Sequence, residues 1–400
     1  MSEPSFPSVA LGATARERIR AMATSKVREV ANAGFGVEGI RRFWFGEGDQ
    51  PTAPFIREAA MAALTEGRTF YTHNQGTAEL RAALNTYLTD LHRRPFDDDA
   101  VSVTSAGVSA LMVTMQAILD PGDRVVAVTP VWPNLTEMPQ ILGAEVVRVG
   151  LEPKGGRWTL DLDRLLAAIT PGTRLLLINS PNNPSGWTLE AGDREAILDH
   201  CRRLGVWILT DDVYERVSFG AADDRGVTTA PSFLALTNDD DRVVSINSFS
   251  KAWRMTGWRL GWIVAPRALR EDLGKLLEYN TSCAPDFVQV AGVAALQGGE
   301  ALVEALRLEM LGKRDRVLAG LSRLPGVETT TADGGMYAFF RLAGHDDSLA
   351  VAKRLIAEAK LGLAPGAAFG DEGEGWLRWC FATTDEALDD GLARLERWLG

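Results

Sequence analysis

Four hundred residues, 46% apolar and 24% charged, suffice for a large core and two or three domains of ordinary globular composition. With 42 basic against 53 acidic side chains, a formal charge of -11 and no basic stripe, the composition argues against a nucleic-acid partner, because such binding rests largely on neutralising phosphates. No apolar run approaches the ~20 residues needed to span a bilayer, so no membrane role is expected. The acidic start Met1-Ser2-Glu3-Pro4 does not suit a signal peptide, and the odd, scattered cysteines Cys201, Cys283 and Cys380 read as reduced thiols of a cytoplasmic protein.

Residues 14–33 form a charged helical stretch, followed by an extended run at 42–46. Between about residue 100 and residue 265, short apolar runs alternate with amphipathic ones. Runs 124–129, 145–151, 174–179, 206–211, 242–248 and 260–265 read as strands, several nearly continuous in Val, Ile and Leu, as in strands buried on both faces. Helical spacing predicts helices over 109–119, 160–169 and 193–204, the last closed by Gly205. The alternation argues for an α/β domain on a mostly parallel, doubly wound sheet. A long helical run at 300–324 then precedes extended runs at 326–331 and 335–342, a helix over 348–361 and a last helix over 384–399. These suggest a smaller α+β domain that also recruits the N-terminal segment. The expected division is 1–50 for the N-terminal part of the small domain, 51–310 for the large domain and 311–400 for the rest of the small one.

In open α/β sheets, ligands sit beyond the C-terminal ends of the strands. Three polar signals fall there. Run 174–179 leads into Ser180-Pro181-Asn182-Asn183-Pro184-Ser185-Gly186, and run 206–211 ends in Asp211-Asp212-Val213-Tyr214. Run 242–248 opens Ser248-Phe249-Ser250-Lys251-Ala252-Trp253-Arg254-Met255-Thr256-Gly257-Trp258-Arg259. Any one alone reads as a turn or a solvated loop. Together, a lysine among hydroxyls and an arginine at the end of a buried strand suggests a cofactor with both an aldehyde and a phosphate, as in pyridoxal phosphate.

On these motifs the chain resembles the class I aminotransferases, fold-type I pyridoxal-phosphate enzymes, and among them the gamma subgroup of aspartate aminotransferases. The likeness runs from about Arg20 to Leu399. It implies that Lys251 forms the Schiff base and then moves the substrate proton, its amine favoured in neutral form by desolvation. It implies that Asp211 faces the pyridine nitrogen, that Asn183 and Tyr214 reach the phenolic oxygen and that Trp132, in Pro130-Val131-Trp132-Pro133-Asn134, stacks on the ring. The phosphate would meet the backbone N–H groups of Ala106, Gly107 and Val108 ahead of a helix from Ser109, together with Ser248, Ser250 and Arg259. Tyr71, in Phe70-Tyr71-Thr72-His73-Asn74-Gln75-Gly76, matches the tyrosine that reaches the neighbouring subunit's phosphate, which implies a homodimer with shared sites. Arg378, in Leu377-Arg378-Trp379-Cys380, would grip the substrate α-carboxylate, aided by the N–H of Gly46.

Two departures stand out. Gly48 replaces a proline common in the loop after Gly46, which loosens the expected turn. Val108 occupies a position where aspartate-using members often carry a lysine, which tilts the expected donor toward neutral or aromatic amino acids unless Lys26 or an arginine of the partner subunit compensates. The expected reaction is ping-pong transfer of the amino group of an L-amino acid to a 2-oxo acid such as 2-oxoglutarate. Aspartate aminotransfer proper is an alternative, as are β-elimination, racemisation and decarboxylation on the same cofactor. Arg378 weighs against decarboxylation. A ligand-sensing module would need a DNA-binding domain, and only a short segment is expected ahead of this fold.

Overall fold

In a computed structural model that describes residues 15–400, the apolar runs pair into a seven-stranded sheet. Its strands are Val101–Thr104 (β1), Arg124–Thr129 (β2), Glu145–Gly150 (β3), Thr173–Asn179 (β4), Trp207–Asp211 (β5), Val243–Ser248 (β6) and Gly261–Val264 (β7). The order is β1-β7-β6-β5-β4-β2-β3, with β7 antiparallel to its two neighbours and every other pair parallel. The six anticipated strands match within one residue at each end.

Side chains alternate across this sheet, and both faces are covered. Leu175 and Leu177 of β4 join the core under helices Gly107–Ile118 and Arg267–Asn280. Their neighbours Leu176 and Ile178 join the opposite core with Ile197 and Leu198 of helix Ala191–Leu204. Such burial on two sides explains the unbroken aliphatic runs. β1 escaped the pattern because it is short and alternates Val with Ser and Thr. Its buried Ser102 is satisfied by Gln75 Nε2, which donates to Oγ at 3.2 Å.

Two helical expectations need correction. The stretch 14–33 is two helices, Glu17–Ala21 and Lys26–Gly34, and its first residue lies outside the described residues. Met22 is extended, and Ser25 starts the second helix by accepting the Arg28 N–H at 3.3 Å. The helix expected from Ser109 begins at Gly107, since the Ala110 N–H already donates to Ala106 O at 3.1 Å. Glycine and valine are weak helix formers and hid this first turn. Gly205 closes its helix as expected, at φ +68°.

A second, antiparallel sheet contains Val327–Thr329 (β8), Tyr337–Leu342 (β9), Ala364–Pro365 (β10) and Trp376–Cys380 (β11), in the order β8-β9-β11-β10. The N-terminal segment lies beside it in a separate two-stranded pair. Arg41–Arg42 pairs with Leu361–Gly362, the Phe43 N–H donates to Gly362 O at 2.8 Å, and the Cys380 N–H donates to Phe43 O at 3.0 Å. Phe43 stacks on Trp379 with ring centroids 4.6 Å apart. All three cysteines are free, and no helix among the described residues is long and apolar enough to cross a membrane.

Candidate active site

The C-terminal ends of β4, β5 and β6 open into a cavity of about 670 Å³, whose lining also includes Tyr337 of β9 and Arg378 of β11. Gly46, Gly107, Val108, Trp132, Asn183, Asp211, Tyr214, Ser248, Ser250, Lys251, Arg259 and Arg378 all line it. Residues from seven separate stretches of sequence therefore meet at one place. One residue expected at this site does not: Ala106 is buried behind the first helical turn. Tyr71, expected to serve the neighbouring subunit's site, is 90% exposed on the surface.

Lys251 lies three residues beyond β6, and its Nζ donates to Gly46 O. Although the cavity leaves it partly exposed, desolvation by the surrounding protein pulls its pKa down to about 8. Asp211 ends β5 and is buried, with the Val213 N–H donating to Oδ1 at 3.4 Å. Burial, then repulsion from Asp212, pushes its carboxyl up to about 7. No cationic side chain forms an ion pair with it among the described residues. A buried carboxylate in that state suits a ligand that brings a positive charge.

Asn179 and Asn183 order the neighbouring loop. The Asn179 side chain accepts the Asn183 N–H at 2.8 Å and donates to Asp211 O at 2.9 Å. Asn183 Oδ1 in turn accepts from Arg378 at 2.8 Å, which fixes which end of the amide remains to donate elsewhere. Trp132, half-buried, packs against the core that contains Leu111.

A cradle for an anion forms where helix Gly107–Ile118 starts. The N–H groups of its first turn have no intrahelical partner, and the helix end is positive. Gly261 lets the turn approach β7, since a Cβ there would lie 2.6 Å from Gly107 N. Ser248 Oγ and Ser250 Oγ are 2.9 Å apart at the cavity wall. Arg259, at φ +52°, donates to Thr256 O at 2.5 Å and makes no ion pair among the described residues. Helix end, paired hydroxyls and uncommitted guanidinium together suit a phosphate.

Arg378 is 3% exposed, yet no carboxylate accompanies it among the described residues. It donates to Asn183 Oδ1 and to Trp44 O, while its buried Nε has no partner. Its Cζ lies 4.5 Å from the Tyr337 ring centroid and 4.8 Å from that of Phe369. This planar cation, already oriented and unneutralised, suits a substrate carboxylate. The loop carrying Gly46 is tied down despite Gly48: Asp49 Oδ2 accepts from Thr383 Oγ1 at 2.7 Å and from the Thr384 N–H at 2.9 Å.

Tyr337, Phe45, Glu47, Asn179 and Arg28 also line the cavity and were missed by sequence reasoning. Tyr337 sits in an aromatic-rich strand that reads as plain core, and Arg28 on a helix whose charges read as solvated. Arg28 Cζ lies 4.8 Å from the Phe45 ring centroid. Lys26, the anticipated compensating cation, instead donates to Ala367 O at 3.3 Å and does not line the cavity.

Residues 43–395 match the model of the family described as aminotransferase class I and II. The chain is 31% identical over 386 residues to an aspartate aminotransferase of Pyrococcus horikoshii, covering 96% of each. It is 30% identical to aromatic-amino-acid aminotransferase 2 of Thermococcus litoralis, across 96% of this chain and 97% of that one. Among solved structures, the aspartate aminotransferase of Thermus thermophilus with maleate superposes with a TM-score of 0.88 at 30% identity, over 96% of this chain and 99% of that one.

Proposed function

The chain belongs to the class I and II aminotransferases, and from that membership we propose an enzyme of neutral or aromatic L-amino acids that uses pyridoxal phosphate. The acceptor is a 2-oxo acid such as 2-oxoglutarate, and the two half-reactions alternate in a ping-pong cycle. One observation carries this reading. A partly desolvated amine (Lys251), a buried carboxylate without a cation (Asp211) and a buried guanidinium without an anion (Arg378) face a single cavity.

The groups present fit pyridoxal phosphate: Asp211 for a protonated ring nitrogen, Lys251 for the aldehyde, Trp132 for the ring face, Tyr214 and Asn183 for the phenolic oxygen. Gly107, Val108, Ser248, Ser250 and Arg259 fit the phosphate, with Ala106 setting the turn behind them. When bound, that cofactor supplies an aldehyde for the amino group and a ring that accepts electrons from Cα. Arg378 and the Gly46 N–H hold the substrate α-carboxylate, which fixes the direction of the Cα–H bond. Lys251 Nζ is the base that takes the Cα proton, and its pKa of about 8 leaves a usable neutral fraction near pH 7. Phe45, Val108 and Trp132 give the side-chain end an apolar character that favours uncharged donors. Arg28 offers a cation for the distal carboxylate of the acceptor. Two copies share their sites, and the exposed Phe70 and Tyr71 support a contact of this kind.

A single-turnover panel tests the proposal. Each amino acid is added to cofactor-loaded protein without acceptor, and the cofactor absorbance is followed. Phenylalanine, leucine and alanine should deplete the starting band faster than aspartate. A faster response to aspartate would overturn the donor class, and no response to any amino acid would overturn the cofactor chemistry.

A further inference from the structure

Tyr214 and Tyr337 form a buried phenol pair at the cavity wall. Their hydroxyl oxygens are 2.5 Å apart, and their rings meet edge to face with centroids 5.7 Å apart at 79°. Tyr337 is tightly placed. A Cβ on Gly46 would lie 1.9 Å from its hydroxyl oxygen, and Arg378 covers its ring. Among the described residues, its hydroxyl has no hydrogen-bond partner other than Tyr214.

Each phenol has one proton to give. If Tyr214 gives its proton to Tyr337, none remains for a ligand. If Tyr337 donates to Tyr214, the Tyr214 proton is free to point into the cavity, and the donated bond polarises its O–H and strengthens it as a donor.

We propose that Tyr337 is a positioning residue that donates to Tyr214 and so directs the Tyr214 proton onto the phenolic oxygen of the bound cofactor. This rests on the cofactor reading above. Burial raises the pKa of both phenols, that of Tyr337 to about 12, so each keeps its proton throughout the working range. The Arg378 cation partly opposes that rise at both phenols, and Tyr337, with no hydrogen-bond partner other than Tyr214 among the described residues, directs its own proton there. A stronger bond from Tyr214 stabilises negative charge on the phenolic oxygen. The adjoining nitrogen of Lys251 then loses its proton at lower pH, and the visible absorbance of the loaded protein reports that loss.

The test is a spectrophotometric pH titration of cofactor-loaded protein, unsubstituted and with Tyr337→Phe, Tyr214→Phe or both. Tyr337→Phe keeps the ring beneath Arg378 and removes only the hydroxyl. Its absorbance midpoint should rise by about half a pH unit, with the KM for the amino donor changed less than about twofold. Tyr214→Phe should give a larger rise, and the double variant should match Tyr214→Phe alone, since Tyr337 acts through Tyr214. A midpoint that stays or falls in Tyr337→Phe, or additive shifts in the double variant, would overturn the inference. Lack of any cofactor band in unsubstituted protein would instead overturn the cofactor reading, so the two failures are distinguishable.

Discussion

At Arg378 a positive charge is held at 3% exposure by a carbonyl oxygen, an amide oxygen and two aromatic rings, with no carboxylate among the described residues. Such a charge is costly until an anion arrives, so its energy is released on binding substrate. Arg378→Ala should lower kcat/KM on the order of 10²-fold with a raised donor KM, while thermal stability stays level or improves. Loss of stability without a change in KM would contradict this. Asp211 gives a pH-dependent counterpart. Its folded-state pKa of about 7 lies above the ordinary 3.8, so the unloaded protein binds an extra proton across that window and loses stability there as pH rises. Unloaded Asp211→Asn should differ little from unsubstituted protein near pH 4. It should be the more stable by on the order of 2–4 kcal/mol at about pH 8, as read by denaturant titration. A gap constant with pH would refute it. Lys251, depressed to about 8, predicts that the rate of cofactor uptake by the unloaded protein climbs as pH passes through that value, because the neutral amine attacks. A flat rate profile would count against it.

Among the elements, helix Gly107–Ile118 and strand β7 are locked together by the bare Cα of Gly261. Gly261→Ala puts a methyl against backbone, which cannot move aside as a side chain could. Phosphate should suffer first: inorganic phosphate should compete less well with cofactor uptake, and the cofactor should bind at least about tenfold more weakly. The sheet was legible in sequence because burial on two faces demands aliphatic runs, which β2 and β4 display plainly. The first helical turn was not legible, since Gly107 and Val108 are placed there by the approach to β7 and not by propensity. Lys251, Asp211 and Asn183 could be found because each follows such a run directly. Tyr337 could not, because a phenol within Tyr337–Leu342 looks like core until its hydroxyl partner across the fold is known. Arg28 was hidden likewise by its charged helix. Arg28→Ala should weaken saturation by the dicarboxylic acceptor more than saturation by phenylalanine, and steady-state kinetics with both substrates decides it.

For the molecule as a whole, the fold class was readable from the order of strand and helix patterns, and recruitment of the N-terminal segment was expected, but the particular pairing of residues 41–43 with 361–362 and 380 was not. That junction joins segments more than three hundred residues apart, and nothing local in either encodes it. The proposed shared sites give a complementation test. Lys251→Ala and Tyr71→Phe proteins, each impaired alone, should recover activity when unfolded and refolded together, because a hybrid pair contains one intact site. Recovery absent despite demonstrated hybrids would remove Tyr71 from the site. Lys251 stands just past the C-terminal end of β6 in the large sheet and Arg378 within the small one, so the distance between base and carboxylate grip behaves like the gap of a calliper. The clasp of Thr383 and Thr384 on Asp49 sets one of its jaws. Loosening that clasp alone should retune which amino acids react fastest, with every lining side chain left as it was.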